Sequence, residues 1–238
     1  MVSRADRLPP MPTADPTEAD LLKSLGRLVR GLSTLFWGLP IALVVCVQTA
    51  RTSILGAFGL FPPVLANAAL LYGLVLVGGF RPQERVWIHA LDRAKLLAVV
   101  NIGLSPFLYW WKLLPSVLHY QLAVAVMALT GLFFLFTLNL ALQRLAAMLP
   151  DETLRLEARL FTNLNLGLLG TTLVLTAAGL GILQIPKPPP WLVFMASLAV
   201  HFGLGFLLIL VLLPVALTMS LIWKIKEVIF ASVFGPHR

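Results

Sequence analysis

Two side chains in the apolar part of the sequence could form a nucleophile and a general base. Ser105 immediately precedes Pro106, and His201 lies ten residues after Trp191. If the apolar segments cross a membrane as helices, a rise of about 1.5 Å per residue brings both side chains near its midplane. A serine that donates to a histidine is the pair that many hydrolases use for acyl transfer. An intramembrane hydrolase is therefore one hypothesis for this chain.

The serine motif is incomplete, however. Gly103-x-Ser105 and a later histidine in a six-helix chain resemble the rhomboid proteases, whose pattern continues with a glycine after the serine. Pro106 stands at that position here, and no His and Asn set for an oxyanion hole precedes it. In the non-catalytic interpretation, Ser105 donates to a backbone carbonyl at a proline kink and His201 packs between helices. We therefore expect no catalytic residues and no enzyme activity.

A second polar group consists of four asparagines on the third, fourth and fifth apolar segments. By helical rise they lie within about two turns of the end that the charge pattern assigns to the cytoplasm. Such amides either line a vestibule or form hydrogen bonds between helices, each worth about 0.6 kcal/mol on average. We favour interhelical bonding over a vestibule. The four residues are Asn101, Asn139, Asn163 and Asn165.

Other site chemistry is not indicated. The four histidines are scattered along the chain, and no His, Cys and carboxylate cluster has the spacing of metal ligands. The sequence contains no phosphate-binding loop. We therefore predict no metal and no cofactor. Ion-coupled transporters usually keep charged groups at depth in the membrane, and no Asp, Glu, Lys or Arg occurs within the apolar segments, which argues against coupled transport.

The composition is that of a membrane protein. Hydrophobic residues make up 59% of the 238 residues and charged residues 12%, against roughly 25% charged residues in soluble domains. A helix needs roughly 17–25 apolar residues to span a bilayer. We therefore predict an all-α polytopic membrane protein with six transmembrane helices. Their approximate bounds are 34–50, 63–80, 96–111, 121–142, 161–183 and 192–223.

The charges predict the orientation of these spans. Fifteen of the eighteen Lys and Arg residues and all ten Asp and Glu residues fall in alternate segments between the spans. By the positive-inside rule, both termini are cytoplasmic. The net charge of +8 is then explained by orientation and by anionic lipid headgroups at the cytoplasmic face. Because the basic residues lack interleaved stacking aromatics, we do not expect nucleic-acid binding.

The remaining segments are short. Residues 1–17 are rich in proline and poor in bulky apolar residues, which predicts a disordered cytoplasmic tail. We expect residues 18–238 to form a single helical membrane domain, and we favour a bacterial inner membrane as its location. Pro150, Asp151 and Glu152 have the character of a helix start, with acidic residues at the positive end of the helix dipole.

Basic residues also recur at a constant spacing. Arg27, Arg93 and Arg159 are equally spaced along the chain. Each lies on a segment with apolar residues at helical spacing, just before a span that begins at the cytoplasmic side. This pattern predicts three repeats of an amphipathic surface helix followed by a transmembrane hairpin. The alternative is that positive-inside anchoring alone places a base before each of these spans.

The absence of site chemistry favours a non-enzymatic function. Our first hypothesis is a scaffold or accessory subunit of a membrane complex, with protein partners or further copies of itself in the membrane. The alternative is a passive transporter or flippase for a neutral or amphipathic molecule, which would use the asparagine band and the proline-broken spans.

Overall fold

The computed structural model describes residues 16–52, 58–80, 85–149, 151–183 and 211–231. Within these ranges the regular structure is helical, and no strand occurs in them. Residues 211–231 are also helical and are called the C-terminal segment below. Six helices are defined within the described ranges: α1 (Pro16–Arg51), α2 (Phe61–Gly78), α3 (Arg85–Leu104), α4 (Pro106–Leu113), α5 (Leu118–Ala147) and α6 (Glu152–Leu183).

Among the described residues, four helical stretches are long and apolar enough to cross a membrane, which confirms the predicted membrane class. The fifth predicted span lies within α6, whereas most of the sixth lies outside the described residues, as does residue 201. The number of six spans and the orientation of the termini remain predictions. The four stretches are Lys23–Arg51, Phe61–Gly78, Val86–Leu113 and Leu118–Ala147.

The predicted surface helices are continuous with the membrane helices. α1 is a single helix of 36 residues that begins at Pro16, so the last two residues of the predicted tail are helical and residues 1–15 lie outside the described ranges. Leu28 and Leu32, which belong to the apolar stripe of the first leader, are fully buried, while Lys23 and Arg27 are exposed. The described part of this stripe therefore packs against protein rather than lying on lipid.

The third predicted span consists of two helices. α3 ends at Leu104 and α4 begins at Pro106, with Ser105 between them. Proline has no N–H and its ring clashes with the preceding turn, so it is favoured at the first position of a helix. Pro40, at the corresponding position of the first predicted repeat, lies inside α1 without ending it. The same residue type thus interrupts one helix and not the other.

The helices pack mainly in pairs that are neighbours along the chain. α1 packs most extensively against α2 and α3 against α5, while α2 contacts α3 and α5 contacts α6. The C-terminal segment contacts α1 through Phe36 and Trp223, whose ring centroids are 5.9 Å apart. Buried apolar residues from all of these elements except α4 form one continuous core.

Buried positions of α1 recur at a constant spacing in α3 and α4. Each of five buried positions in α1 has a buried counterpart further along the chain, at the same spacing that separates Arg27 from Arg93. A constant spacing over several turns means that both helical stretches turn equivalent faces toward the protein interior. The pairs are Leu28 and Ala94, Leu32 and Ala98, Leu35 and Asn101, Leu39 and Ser105, and Ala42 and Leu108.

The same recurrence holds for the second helix of each pair. Buried positions of α2 recur at a constant interval in α5, and those of α5 recur at a second, longer interval in the C-terminal segment. The three helices therefore present equivalent faces to the interior. The sets are Ala66, Phe134 and Pro214; Leu70, Leu138 and Thr218; Leu74, Leu142 and Ile222; and Val77, Leu145 and Ile225.

The third leader departs from the spacing of the arginines. Leu160 and Leu164, which follow Ala94 and Ala98 at the interval that separates Arg93 from Arg159, are 62% and 53% exposed. Each buried position of α6 instead comes two residues earlier, so the buried face is displaced by two residues relative to Arg159. Arg27, Arg93 and Arg159 are themselves exposed. The displaced buried positions are Ala158, Thr162, Asn165, Leu169 and Thr172; Leu154, near the start of α6, is also buried.

Candidate functional site

Four polar side chains form a network between α2, α3 and α5. The Asn67 amide nitrogen donates to Ser105 Oγ at 3.0 Å, and Ser105 Oγ donates to the backbone oxygen of Asn101 at 2.6 Å. The side-chain oxygen of Asn101 accepts a bond of 2.6 Å from the Thr130 hydroxyl. Ser105 takes part in the first two bonds and Asn101 in the last two, so one chain of hydrogen bonds connects α2, α3 and α5. We call it the α3 network.

The break at Pro106 positions the centre of this network. Ser105 precedes the proline and is fully buried, and its hydroxyl turns back to the carbonyl four residues earlier. Asn67 lies one turn after Pro63, to whose backbone oxygen its amide nitrogen also donates at 2.8 Å. The Cys46 sulfur on α1 is 3.8 Å from the same nitrogen. The amide of Asn67 thereby joins α1 and α2 to α3.

Among the described residues, the hydrogen-bond partners of the Ser105 side chain are an amide and a backbone carbonyl. An ionised or nucleophilic serine needs a base that takes its proton, but the Ser105 hydroxyl donates to a backbone carbonyl and accepts from an amide. Neither partner can act as a general base. His201 lies outside the described residues, so the pairing of Ser105 with His201 stays untested.

A second network joins α5, α6 and the C-terminal segment. Thr218 Oγ1 accepts bonds of 2.9 Å from the amide nitrogens of both Asn139 and Asn165, and it donates to the Pro214 backbone oxygen at 2.7 Å. Asn165 also donates to that oxygen at 3.2 Å, and Asn139 donates to the Leu135 oxygen at 2.8 Å. The Thr218 hydroxyl thus uses its one hydrogen and both lone pairs. We call this set the Thr218 network.

The predicted asparagine band is therefore divided between two places. Asn139 and Asn165 meet at Thr218, whereas Asn101 belongs to the α3 network. Asn163 lies on the exposed face of α6. The sequence interpretation overlooked Asn67, Thr130 and Thr218 as partners. One available signal was the position of Thr218 four residues after Pro214, since a threonine there can bond the carbonyl of the preceding turn.

A few buried polar atoms in the described part of the chain lack a hydrogen-bond partner. Two of them, Thr162 Oγ1 and Asn165 Oδ1, lie one turn apart on the buried face of α6. The others are Trp87 Nε1 and Arg155 Nε; Arg155 also donates from Nη2 to the Ala147 oxygen at 3.2 Å. Buried polar groups normally find partners, so the pair on α6 is chemically unusual.

A groove lies apart from both networks, between α1 and α2. Its volume is about 380 Å³, and it is open on one side. The polar groups in its wall are already engaged, because the Ser33 and Thr34 hydroxyls donate to carbonyls of their own helix. Its surface is therefore mainly apolar. The lining residues are Ser33, Thr34, Trp37, Gly38, Ile41, Ala66 and Ala69.

The described residues also contain no group of His, Cys, Asp and Glu that could hold a metal ion. Two ion pairs occur within them: Asp92 pairs with Lys95 one turn away on α3, and Glu157 on α6 pairs with Lys224 of the C-terminal segment. The Lys224 ammonium also lies 5.3 Å from the centre of the Phe161 ring. The contacts of Lys224 hold the C-terminal segment against α6.

Replacing Ser105 by alanine should lower stability without abolishing function. The substitution removes one acceptor of the Asn67 amide and one bond to the Asn101 carbonyl, for which we expect a loss of about 1 kcal/mol. The measurement is thermal unfolding in detergent beside a cellular phenotype. Ser33→Ala is the control, because the Ser33 hydroxyl bonds only within α1 among the contacts described. Loss of the phenotype at unchanged stability and membrane level would favour the hydrolase hypothesis.

Comparison with known proteins adds no assignment to this geometry: no protein-family model, no curated protein and no solved structure matches the chain.

Proposed function

We propose that this protein is a non-enzymatic scaffold or accessory subunit of a membrane complex. The observation that carries the proposal is the use of the buried polar side chains. In both networks, amides and hydroxyls on different helices bond one another. Side chains arranged in this way fix the helices relative to each other. A rigid helical body suits lateral binding better than the passage of a solute.

The exposed face of α6 is the proposed binding surface. Gly167 and Gly170 are exposed, and a Cβ atom added to either would meet nothing within 4 Å. Asn163 and Thr171 lie on the same exposed face. Small residues let a second helix approach closely, and an amide within the membrane gains from a partner that it can bond. We therefore assign this face to a transmembrane helix of a partner protein that also carries small residues.

Site-specific crosslinking tests this assignment. With Cys46, the single native cysteine, replaced by alanine, Gly167→Cys should form an adduct with a second protein in native membranes. Leu96→Cys is the control, because Leu96 is 65% exposed on α3 and lies outside the proposed surface. An adduct of twice the mass of the chain would indicate a homo-oligomer in place of an accessory subunit. Equal crosslinking at both positions, or none at Gly167, would contradict the assignment.

We further propose six spans with both termini in the cytoplasm of a bacterial inner membrane. Besides the charge pattern, contacts at the helix ends support this topology. Lys112 donates to the Thr52 backbone oxygen, so the two predicted outer segments lie at the same end of the bundle. At the other end, Lys95 lies against Gly78 and Glu157 pairs with Lys224. All four of these residues are predicted to lie at or near the cytoplasmic side.

Cysteine accessibility should follow the proposed topology. Single cysteines introduced at Thr52, Ser116 and Lys187 should react with an impermeant maleimide added outside intact cells, because these positions precede or follow the outer ends of the spans. Cysteines at Gln83, Thr153 and His237 should react only after the membrane is opened. A mixed pattern within either group would contradict six spans.

We also propose that the architecture consists of three repeated helical hairpins. The recurrence of buried positions in α2, α5 and the C-terminal segment supports the repeat, as does the recurrence in α1 and α3. An experimental structure should allow the three hairpins to be superposed with these positions matched, using a displacement of two residues in α6. Hairpins with unrelated crossing geometry would reduce the recurrence to coincidence.

The alternative function, a passive transporter or flippase for an amphipathic molecule, is favoured by the groove between α1 and α2. It is open on one side and mainly apolar, and Trp37 in its wall is 64% exposed. Purified protein in vesicles with a fluorescent phospholipid would test it. Transbilayer movement that is lost on replacing Trp37 by alanine, but retained with Leu96→Ala, would favour lipid transport over the scaffold.

A further inference from the structure

Two oxygen atoms inside the protein mark a place where a hydrogen-bonding ligand is needed. Thr162 Oγ1 and Asn165 Oδ1 have no hydrogen-bond partner among the described residues, and both residues are fully buried. They lie on the same face of α6, three residues apart. The amide nitrogen of Asn165 is engaged by Thr218 and by the Pro214 oxygen, which fixes the orientation of its amide group.

The preceding helix pair provides an internal comparison. Asn101 is buried at the position of α3 that is equivalent to Asn165 on α6. Its side-chain oxygen accepts a bond of 2.6 Å from Thr130 on the second helix of that pair. Asn165 Oδ1 has no such partner among the described residues, so the equivalent amide oxygen on α6 lacks its donor there.

The two unpartnered oxygens have complementary chemistry. Asn165 Oδ1 can only accept a hydrogen bond, whereas the Thr162 hydroxyl can both donate and accept, so one small molecule with two hydrogens and two lone pairs can bond both. Proline-broken helices in membranes commonly use ordered water to satisfy such groups.

We propose that one water molecule is bound at Thr162 and Asn165, beside the Thr218 network. The water donates one hydrogen to Asn165 Oδ1 and makes a second hydrogen bond with Thr162 Oγ1. Buried waters typically make about three hydrogen bonds to groups that the protein leaves unsatisfied. The site makes the α5, α6 and C-terminal junction hydrated, while the α3 network is closed by its own side chains. This inference is independent of the proposed function.

The sign of one stability change tests the proposal. In a dry site, Thr162→Val would remove an unpartnered hydroxyl and raise the melting temperature. With water bound, the same substitution removes a partner of the water, and the melting temperature should fall by about 2–5 °C. Thr162→Ser keeps the hydroxyl and should stay near the parent value. Thr137→Val is the control, because the Thr137 hydroxyl bonds only carbonyls of its own helix among the contacts described.

A second substitution tests whether the two oxygens share one water. Asn165→Leu removes the other oxygen that holds the water. Thr162→Val should then cost little in that background, which is a strong coupling between the two changes. A high-resolution map of the parent protein should also show a density peak within hydrogen-bonding distance of both oxygens. A rise in melting temperature with Thr162→Val, additive effects of the two substitutions, or an empty map would each overturn the proposal.

Discussion

Replacing Gly31 by alanine should separate α1 from α2 and give the largest loss of stability of any single substitution described in this article. A Cβ atom at Gly31 would lie 2.8 Å from the Gly73 backbone oxygen and 2.8 Å from the Val77 backbone nitrogen. Backbone atoms cannot move aside as a flexible side chain can, so the two helices must shift apart. We expect a loss of about 3 kcal/mol, at the upper end of the range for overpacked cores.

Gly26→Ala is the matched control for Gly31→Ala. Gly26 lies on the same helix, and a Cβ atom there would meet nothing within 4 Å. Alanine is a better helix former than glycine, so this variant should be unchanged or more stable by up to about 1 kcal/mol. Thermal unfolding of both variants in the same detergent provides the measurement. Equal stability of the two variants would show that α1 and α2 are not in backbone contact at Gly31.

Replacing Thr218 by valine should give the second large effect. Valine has nearly the same shape, but it leaves the amide nitrogens of Asn139 and Asn165 without the oxygen that both now use. An unsatisfied buried donor costs about 1–3 kcal/mol, and hydrogen bonds measured in a membrane protein reach about 1.7 kcal/mol. Because both amides retain a backbone acceptor, we expect a total loss of about 2 kcal/mol.

Thermal unfolding again provides the measurement for Thr218→Val. Thr137→Val should change stability by less than about 0.5 kcal/mol, since its hydroxyl donates to the Phe133 and Phe134 carbonyls of its own helix. A double-mutant cycle with Asn139→Leu should show coupling, because the two side chains bond each other. Additive losses would mean that Thr218 does not join α5 to the C-terminal segment.

Several features of the fold could be predicted because they depend on neighbours along the chain. The acidic start of α6 is an example: α6 begins at Glu152, and Asp151 Oδ1 accepts from the backbone N–H groups of Thr153 and Leu154. These bonds hold the pKa of Asp151 below its ordinary value, and the Thr153 hydroxyl contributes most. The break at Pro106 depends on more than the local residue, because Pro40 lies inside α1 without ending it.

The site could be predicted only in part, since hydrogen-bond partners come from distant segments. Asn139 and Thr218 are 79 residues apart in sequence, and Asn67 and Ser105 are 38 apart. Helical rise places residues at a depth in the membrane, and this is why four asparagines at similar depth looked like one band. Depth does not tell which helix faces which, so the separation into two networks and the exposure of Asn163 could not be foreseen.

The sequence by itself determined that this is an all-helical membrane protein, because the cost of burying charge and backbone polar groups in lipid acts on each segment separately. It also predicted amphipathic leaders before three of the spans, from apolar residues at the helical period. Only the tertiary structure decided that the first leader continues into α1 and buries Leu28 and Leu32 against protein. The reason is that apolar side chains gain equally from lipid and from protein, so the choice depends on how closely the helices fit, as Gly31 and Gly73 show.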